Sequence, residues 1–88
     1  MKQINPEQLE AKIKHEEYHR IGDTMTVCSL VLHSGFVVIG QSACIDPAKY
    51  DEAVGCEMAR KNAVNQLWAL EGYHVKETDY AAQAAMEA

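Results

Sequence analysis

No stretch of this sequence has the density of lysine and arginine that a nucleic-acid backbone demands, so general coating of DNA or RNA is not expected. Eight basic residues stand against thirteen acidic ones, for a net charge of −5. The first 44 residues hold four Lys/Arg and five Asp/Glu, and the last 44 hold four and eight. No apolar run approaches the length of a membrane span, and the N-terminus lacks the shape of a signal peptide. No Gly-rich phosphate loop occurs, and Ser29, Ser34 and Ser42 have no nucleophile-elbow context. Cysteine is limited to Cys28, Cys44 and Cys56, an odd number without the two-residue gap of a zinc knuckle or a redox pair. That pattern points to a reducing compartment and to three small buried hydrophobes.

What the chain does contain is enough for one small domain with a marginal core. It has 88 residues, 48% apolar and 24% charged. Twelve of the apolar residues are alanines, five of them in the last eight positions, so the usable core is thinner than 48% suggests.

The order of signals reads as helix, hairpin, helix, tail. Met1 to Pro6 has the look of a helix start, with Asn5 as N-cap, Pro6 at the first helical position and Gln8 completing a form of the capping box. Ile4 and Leu9 can staple that end, and Leu9 and Ile13 share a narrow apolar stripe. Gly22-Asp23 closes this first helix or the loop after it. Residues 24–33 and 36–43 are rich in β-branched side chains and form a hairpin around a two-residue Ser34-Gly35 turn, with Gly40 as a candidate bulge. An isolated hairpin is unstable, so a helix must back it. Asp46-Pro47 opens a short turn through Tyr50, and the main helix runs from about Asp51 to Leu70. Its stripe is Ala53, Cys56, Ala59, Ala63, Leu67 and Leu70, with Val54, Met58 and Trp68 to the side. Gly72 is a natural stop, after which Tyr73 and Val75 fold back. The expected architecture is α+β: an N-terminal helix, an antiparallel β-hairpin and a long C-terminal helix packed on it. Residues 1–77 form the domain, and residues 78–88 form an Ala-rich tail, frayed or disordered. Open hairpin edges, a thin core and apolar side chains off the main stripe point to a homo-oligomer.

Three sets of residues are candidate sites. His15, Glu16, Glu17, Tyr18 and His19 match HExxH. On a helix the two histidines would lie one turn apart, with the glutamate as general base for a zinc-bound water. Nothing fixes a third ligand among His33, Glu52 and His74, and the plainer reading is a solvated helix end. Arg60 can grip a phosphate or carboxylate through its planar fork, or pair locally with Glu57 or Asp51. Trp68 near Tyr73 serves as core, interface or stacking surface. No catalytic residue, metal or cofactor is expected.

The order of several short strings is more specific. Thr26-Val27-Cys28, Ser34-Gly35-Phe36, Gln41-Ser42-Ala43-Cys44, Asp46-Pro47, Ala59-Arg60-Lys61-Asn62-Ala63, Leu67-Trp68 and Leu70-Glu71-Gly72-Tyr73 follow one another. Ala11-Lys12-Ile13 and Glu16-Glu17-Tyr18 precede them. Over about residues 4 to 77 the chain resembles the "gene product 49 / gene 66" family of small tailed-bacteriophage proteins, largely of unknown function. The HEEYH histidines are not part of that family's pattern. The hairpin and long helix are also similar to phage proteins that sequester cyclic nucleotide or ADP-ribose immune signals. That likeness implies a site in which Phe36 stacks on a base and an arginine pair on the long helix, matched once by Arg60, holds phosphates; at a subunit interface, Asn62 is a further candidate contact. Cys56 stands where a second arginine belongs. The resemblance thus implies a non-enzymatic accessory protein in the host cytoplasm, taking part in host takeover or counter-defence, that binds a small nucleotide signal. The alternative is an acidic protein that docks on a host protein through Asp46, Asp51, Glu52 and Asp79. A zinc hydrolase built on HEEYH is the remote third reading.

Overall fold

The computed structural model describes residues 4–87, so the expected helix start at Met1 to Gln3 lies outside the described residues. In chain order the elements are α1 (Pro6–Ala11), β1 (Ile13–Ile21), β2 (Met25–Leu32), β3 (Val37–Ala43), a 3-10 turn (Pro47–Lys49) and α2 (Glu52–Glu87). The three strands form an antiparallel sheet in the order β1-β2-β3, and α2 packs across one face of β2 and β3. The α+β class and the helix laid on a hairpin are as expected from the sequence.

The first helix is much shorter than the sequence suggests, and the hairpin gains a third strand. Asn5 caps α1 as read, its Oδ1 accepting from the Gln8 N–H at 2.8 Å. The helix ends at Ala11, however, and residues 13–21 are strand. Ile13 lies four residues after Leu9, which mimics a helical stripe, while β1 is polar on both faces and so shows no apolar alternation. Of its inward residues, Glu16 finds a polar partner across the fold in Arg60, while Tyr18 bonds to Glu16 two positions away, and the tertiary contact together with the pairing to β2 overrides the local helical pattern. Gly22-Asp23 therefore belongs to the β1–β2 turn, with Gly22 at φ 64°. The second turn has three residues, His33-Ser34-Gly35, rather than two. It is closed by Leu32 N–H to the Phe36 carbonyl at 2.9 Å and by Gly35 N–H to the Leu32 carbonyl at 2.9 Å, with Gly35 at φ 94°.

Gly40 does not mark a bulge. The β2–β3 register runs unbroken from Val31↔Val37 to Met25↔Ala43. Its role is close approach, since a methyl group added at Gly40 would overlap the backbone of Ala59 and Ala63 on α2. The helix stripe is built for that contact. Ala59, Ala63 and Leu67 are buried and Cys56 is half-buried, whereas Ala53 and Leu70 are exposed. Two small clusters make the core. Leu9, Leu32, Val38 and Leu67 form one, with Ile4, Ile13 and Trp68 packed against it. Cys28, Leu30, Ala59 and Ala63 form the other. Only Cys28 of the three cysteines is fully buried. Cys44 and Cys56 are partly exposed, and all three are free.

Gly72 does not stop α2. The helix continues through it to Glu87, with Tyr73 exposed, Val75 buried, and Lys12 Nζ 3.4 Å from Glu71 Oε1 beside it. No left-handed residue occurs there, and the Ala-rich sequence beyond supports helix. Thirty-six helical residues span about 54 Å, against about 27 Å for an eight-residue strand, so α2 overhangs the sheet. The molecule accordingly measures 61 × 23 × 19 Å.

Two glycine variants separate packing from propensity. Gly40→Ala is expected to destabilise by at least about 3 kcal/mol, because backbone must move. Gly72→Ala, with nothing within 4 Å of the added carbon, is expected to stabilise by up to about 1 kcal/mol. Urea unfolding followed by circular dichroism reads both, and an unchanged midpoint for Gly40→Ala would show that α2 is not seated on β3.

Candidate functional site

Arg60 lies on α2 directly after the buried Ala59, and its side chain reaches from the helix to β1 and α1. Nε and Nη2 donate to Glu16 Oε2 at 3.0 and 2.9 Å, and Nη1 and Nη2 donate to Glu10 Oε1 and Oε2 at 3.0 and 2.7 Å. Tyr18 completes the arrangement, its hydroxyl donating to Glu16 Oε1 at 2.7 Å. Four guanidinium hydrogen bonds thus go to two carboxylates, one of them held as a bidentate pair. Hydrogen bonding from Arg60 holds both Glu10 and Glu16 below the usual carboxylate range. The same bonds, Glu10's first, push the guanidinium further toward its charged form. Burial, and then the bond to Glu16, raise the Tyr18 phenol, and burial raises the Cys28 thiol. Arg60 therefore ties three elements together. Its partners lie 50 and 44 residues away in sequence, not at the nearby Glu57 or Asp51.

The three residues assigned to a ligand site do not meet within one chain. Asn62 is two positions beyond Arg60, on the opposite side of the helix. Its Nδ2 donates to the Gln41 carbonyl on β3 at 2.7 Å. Phe36 sits in the turn before β3, 57% exposed. Cys56, one helical turn before Arg60, is half-buried.

The HEEYH segment loses the geometry that zinc chemistry requires. It lies on β1, where His15 and His19 are four strand residues apart, about 13 Å along the chain. Strand alternation also sends Glu16 to the opposite face from both histidines. His33 and His74 line a cleft of about 470 Å³ with Lys12 and Glu71 at the turn end of the sheet. Among the described residues, no group of three or more His, Cys, Asp or Glu could hold a metal.

A second cleft, about 330 Å³, opens at the other end, between the β2–β3 ends and the start of α2. Thr24, Ser42, Cys44, Lys49, Asp51 and Met58 are among its walls. Tyr50 anchors it, with its hydroxyl 2.8 Å from Thr26 Oγ1 and the Arg20 guanidinium 3.9 Å above its ring. This cleft was not legible in the sequence. The only local signal is the Asp46-Pro47 turn, which brings Lys49 and Tyr50 back toward the sheet, Asp46 Oδ1 accepting from the Ala48 N–H at 3.0 Å.

These features define a small α+β protein, with one long helix seated on a three-stranded meander and tied through an arginine to one carboxylate on the edge strand and one on the first helix. The chain belongs to the Phage protein (N4 Gp49/phage Sf6 gene 66) family, whose family model matches residues 4–78. No curated protein and no solved structure matches it. Among the described residues, no helix is long and apolar enough to cross a membrane.

The Arg60 arrangement has a definite pH signature. Glu10 and Glu16 have folded pKa values below their ordinary 4.5. Their contribution is therefore present above the ordinary carboxylate pKa and is lost as pH falls through the depressed folded values. Arg60→Met is expected to cost about 1–2 kcal/mol at neutral pH, the discount reflecting partial exposure of all three side chains. The gap between wild type and variant should narrow as pH drops below about 4. Urea unfolding at several pH values measures this, and a gap independent of pH would contradict it.

Proposed function

We propose that this phage protein is a non-catalytic accessory protein that acts in the host cytoplasm by binding a host protein with a basic surface. The engagement of Arg60 carries the reading. A phosphate ligand would have to displace two carboxylates that already take four of its hydrogen bonds. With Arg60 held by Glu10 and Glu16, and Lys12 beside Glu71, the charge left on the surface is dominated by carboxylates. Asp46, Asp51 and Glu52 are exposed together before and at the start of α2. Asp79 lies about 40 Å further along the helix, so the acidic surface is a long edge rather than a single patch. Such a surface steers a basic partner and repels nucleic acid.

Sequestration of a cyclic nucleotide or ADP-ribose-type signal between subunits is the second reading. Phe36 favours it, because its ring is exposed in a turn and free to stack on a base. A thermal-shift scan of the whole protein against cyclic dinucleotides, cyclic trinucleotides and cyclic ADP-ribose isomers discriminates the two. No shift is expected. A ligand at 100-fold over its dissociation constant would add about 2.7 kcal/mol, and such a shift would establish the second reading in place of the first. For a host partner, affinity is expected to fall steeply with added salt, and salt-independent binding would sink the charge argument.

A further inference from the structure

Among the described residues, no element covers the face of the sheet turned away from α2. The register places Met25, Val27, Ser29 and Val31 of β2 on that face beside Val37, Ile39, Gln41 and Ala43 of β3. No charged residue stands among these eight positions. Val37 and Ile39 are 46% and 50% exposed, and Ile21 at the end of β1 is 55% exposed. An antiparallel sheet with one wet face ordinarily alternates apolar and polar residues, and these two strands instead read as covered on both sides. β1 contributes His15, Glu17 and His19 to this face, so the uncovered apolar area has a polar border along one side.

We infer that this outer face of β2 and β3 is where two copies of the chain pair, sheet against sheet, with the helices outside. Charge selects the occupant. Each chain carries a net charge of −5, and this is a face on which two such chains meet without opposing like charges. A second copy of the same face can cover it by aligned sheet packing, about 10 Å apart. Pairing through the β3 edge is obstructed instead. Phe36 and Cys44 bond toward β2, which leaves the Gln41 carbonyl on the free edge, and Asn62 already occupies it. The two strands give a face of about 27 by 10 Å, roughly 270 Å² of footprint. That is about a third of what a standard interface covers per partner, so the pairing is reversible and concentration-dependent. This inference does not depend on which host component the protein binds.

Sedimentation equilibrium of the whole protein over a wide concentration range tests it. Wild type is expected to show a monomer–dimer equilibrium. Ile39→Lys should weaken that equilibrium at least about tenfold. Ile45→Lys in the loop after β3 and Tyr80→Lys on the overhanging helix should leave it unchanged. Circular dichroism checks that each variant folds, and Val37→Lys replaces Ile39→Lys should the latter fail. A wild-type chain that stays monomeric throughout overturns the proposal and leaves the face to a partner of another kind. An equilibrium that survives Ile39→Lys but is lost in Tyr80→Lys overturns it in favour of the helices.

Discussion

The fold depends on how closely α2 approaches β3. At Gly40 the two backbones meet with no room for a side chain between them, and Ala59 and Ala63 supply the matching small surface. One turn earlier, Gly55 lies against Thr26, which bonds to Tyr50. This contact fixes where the helix axis runs, over β2 and β3 rather than over β1. The two sides of the helix then face different distances. On the near side, a short asparagine suffices to reach the β3 edge at Gln41. On the far side, only a long side chain can reach β1 and α1, and Arg60 does so. The polar arms are a consequence of the backbone contact, as is the small core, since alanine and glycine bury little apolar area.

The parts of this fold that were legible in the sequence are the local ones. The cap at Asn5, the turn at Asp46-Pro47, the strands β2 and β3, and the Ala59-Ala63-Leu67 stripe depend on residues within a few positions of each other. β1 was hidden because an edge strand with polar residues on both faces shows no period of two in hydrophobicity. Gly72 misled for a related reason. A glycine ends a helix only when the chain turns there in a left-handed conformation, and here helix-favouring sequence follows on both sides. The importance of Arg60 could be read from its chemistry. Its partners could not, because they are brought to it only when β1 is recognised as a strand.

The change of β1 from helix to strand also reassigns the chemistry of His15 to His19. On a helix, the two histidines and their glutamate would gather on neighbouring faces and suggest a metal centre. On a strand the same residues are dealt alternately to opposite faces. His15, Glu17 and His19 go outward, His15 Nε2 lying 3.5 Å from Glu17 Oε1 in a solvated pair. Glu16 goes inward to Arg60 and Tyr18. A motif that reads as catalytic at one periodicity becomes, at the other, half surface and half structural tie. Residue spacing therefore carries chemical meaning only after the period of the backbone is known.

The two faces of the sheet consequently do different work. Toward α2 every demand of folding is met: the apolar clusters close, and among the described residues no buried side-chain nitrogen or oxygen lacks a partner. The other face contributes nothing to that closure, yet five of its eight positions on β2 and β3 are valine, isoleucine or methionine, which cost about 25 cal/mol per Å² to leave in water. A large domain can carry such a cost against an ample core. A chain of 88 residues whose helix packs through alanine has little to set against it. The composition of β2 and β3 is thus explained by cover on both sides, and the fold of one chain accounts for only one of them.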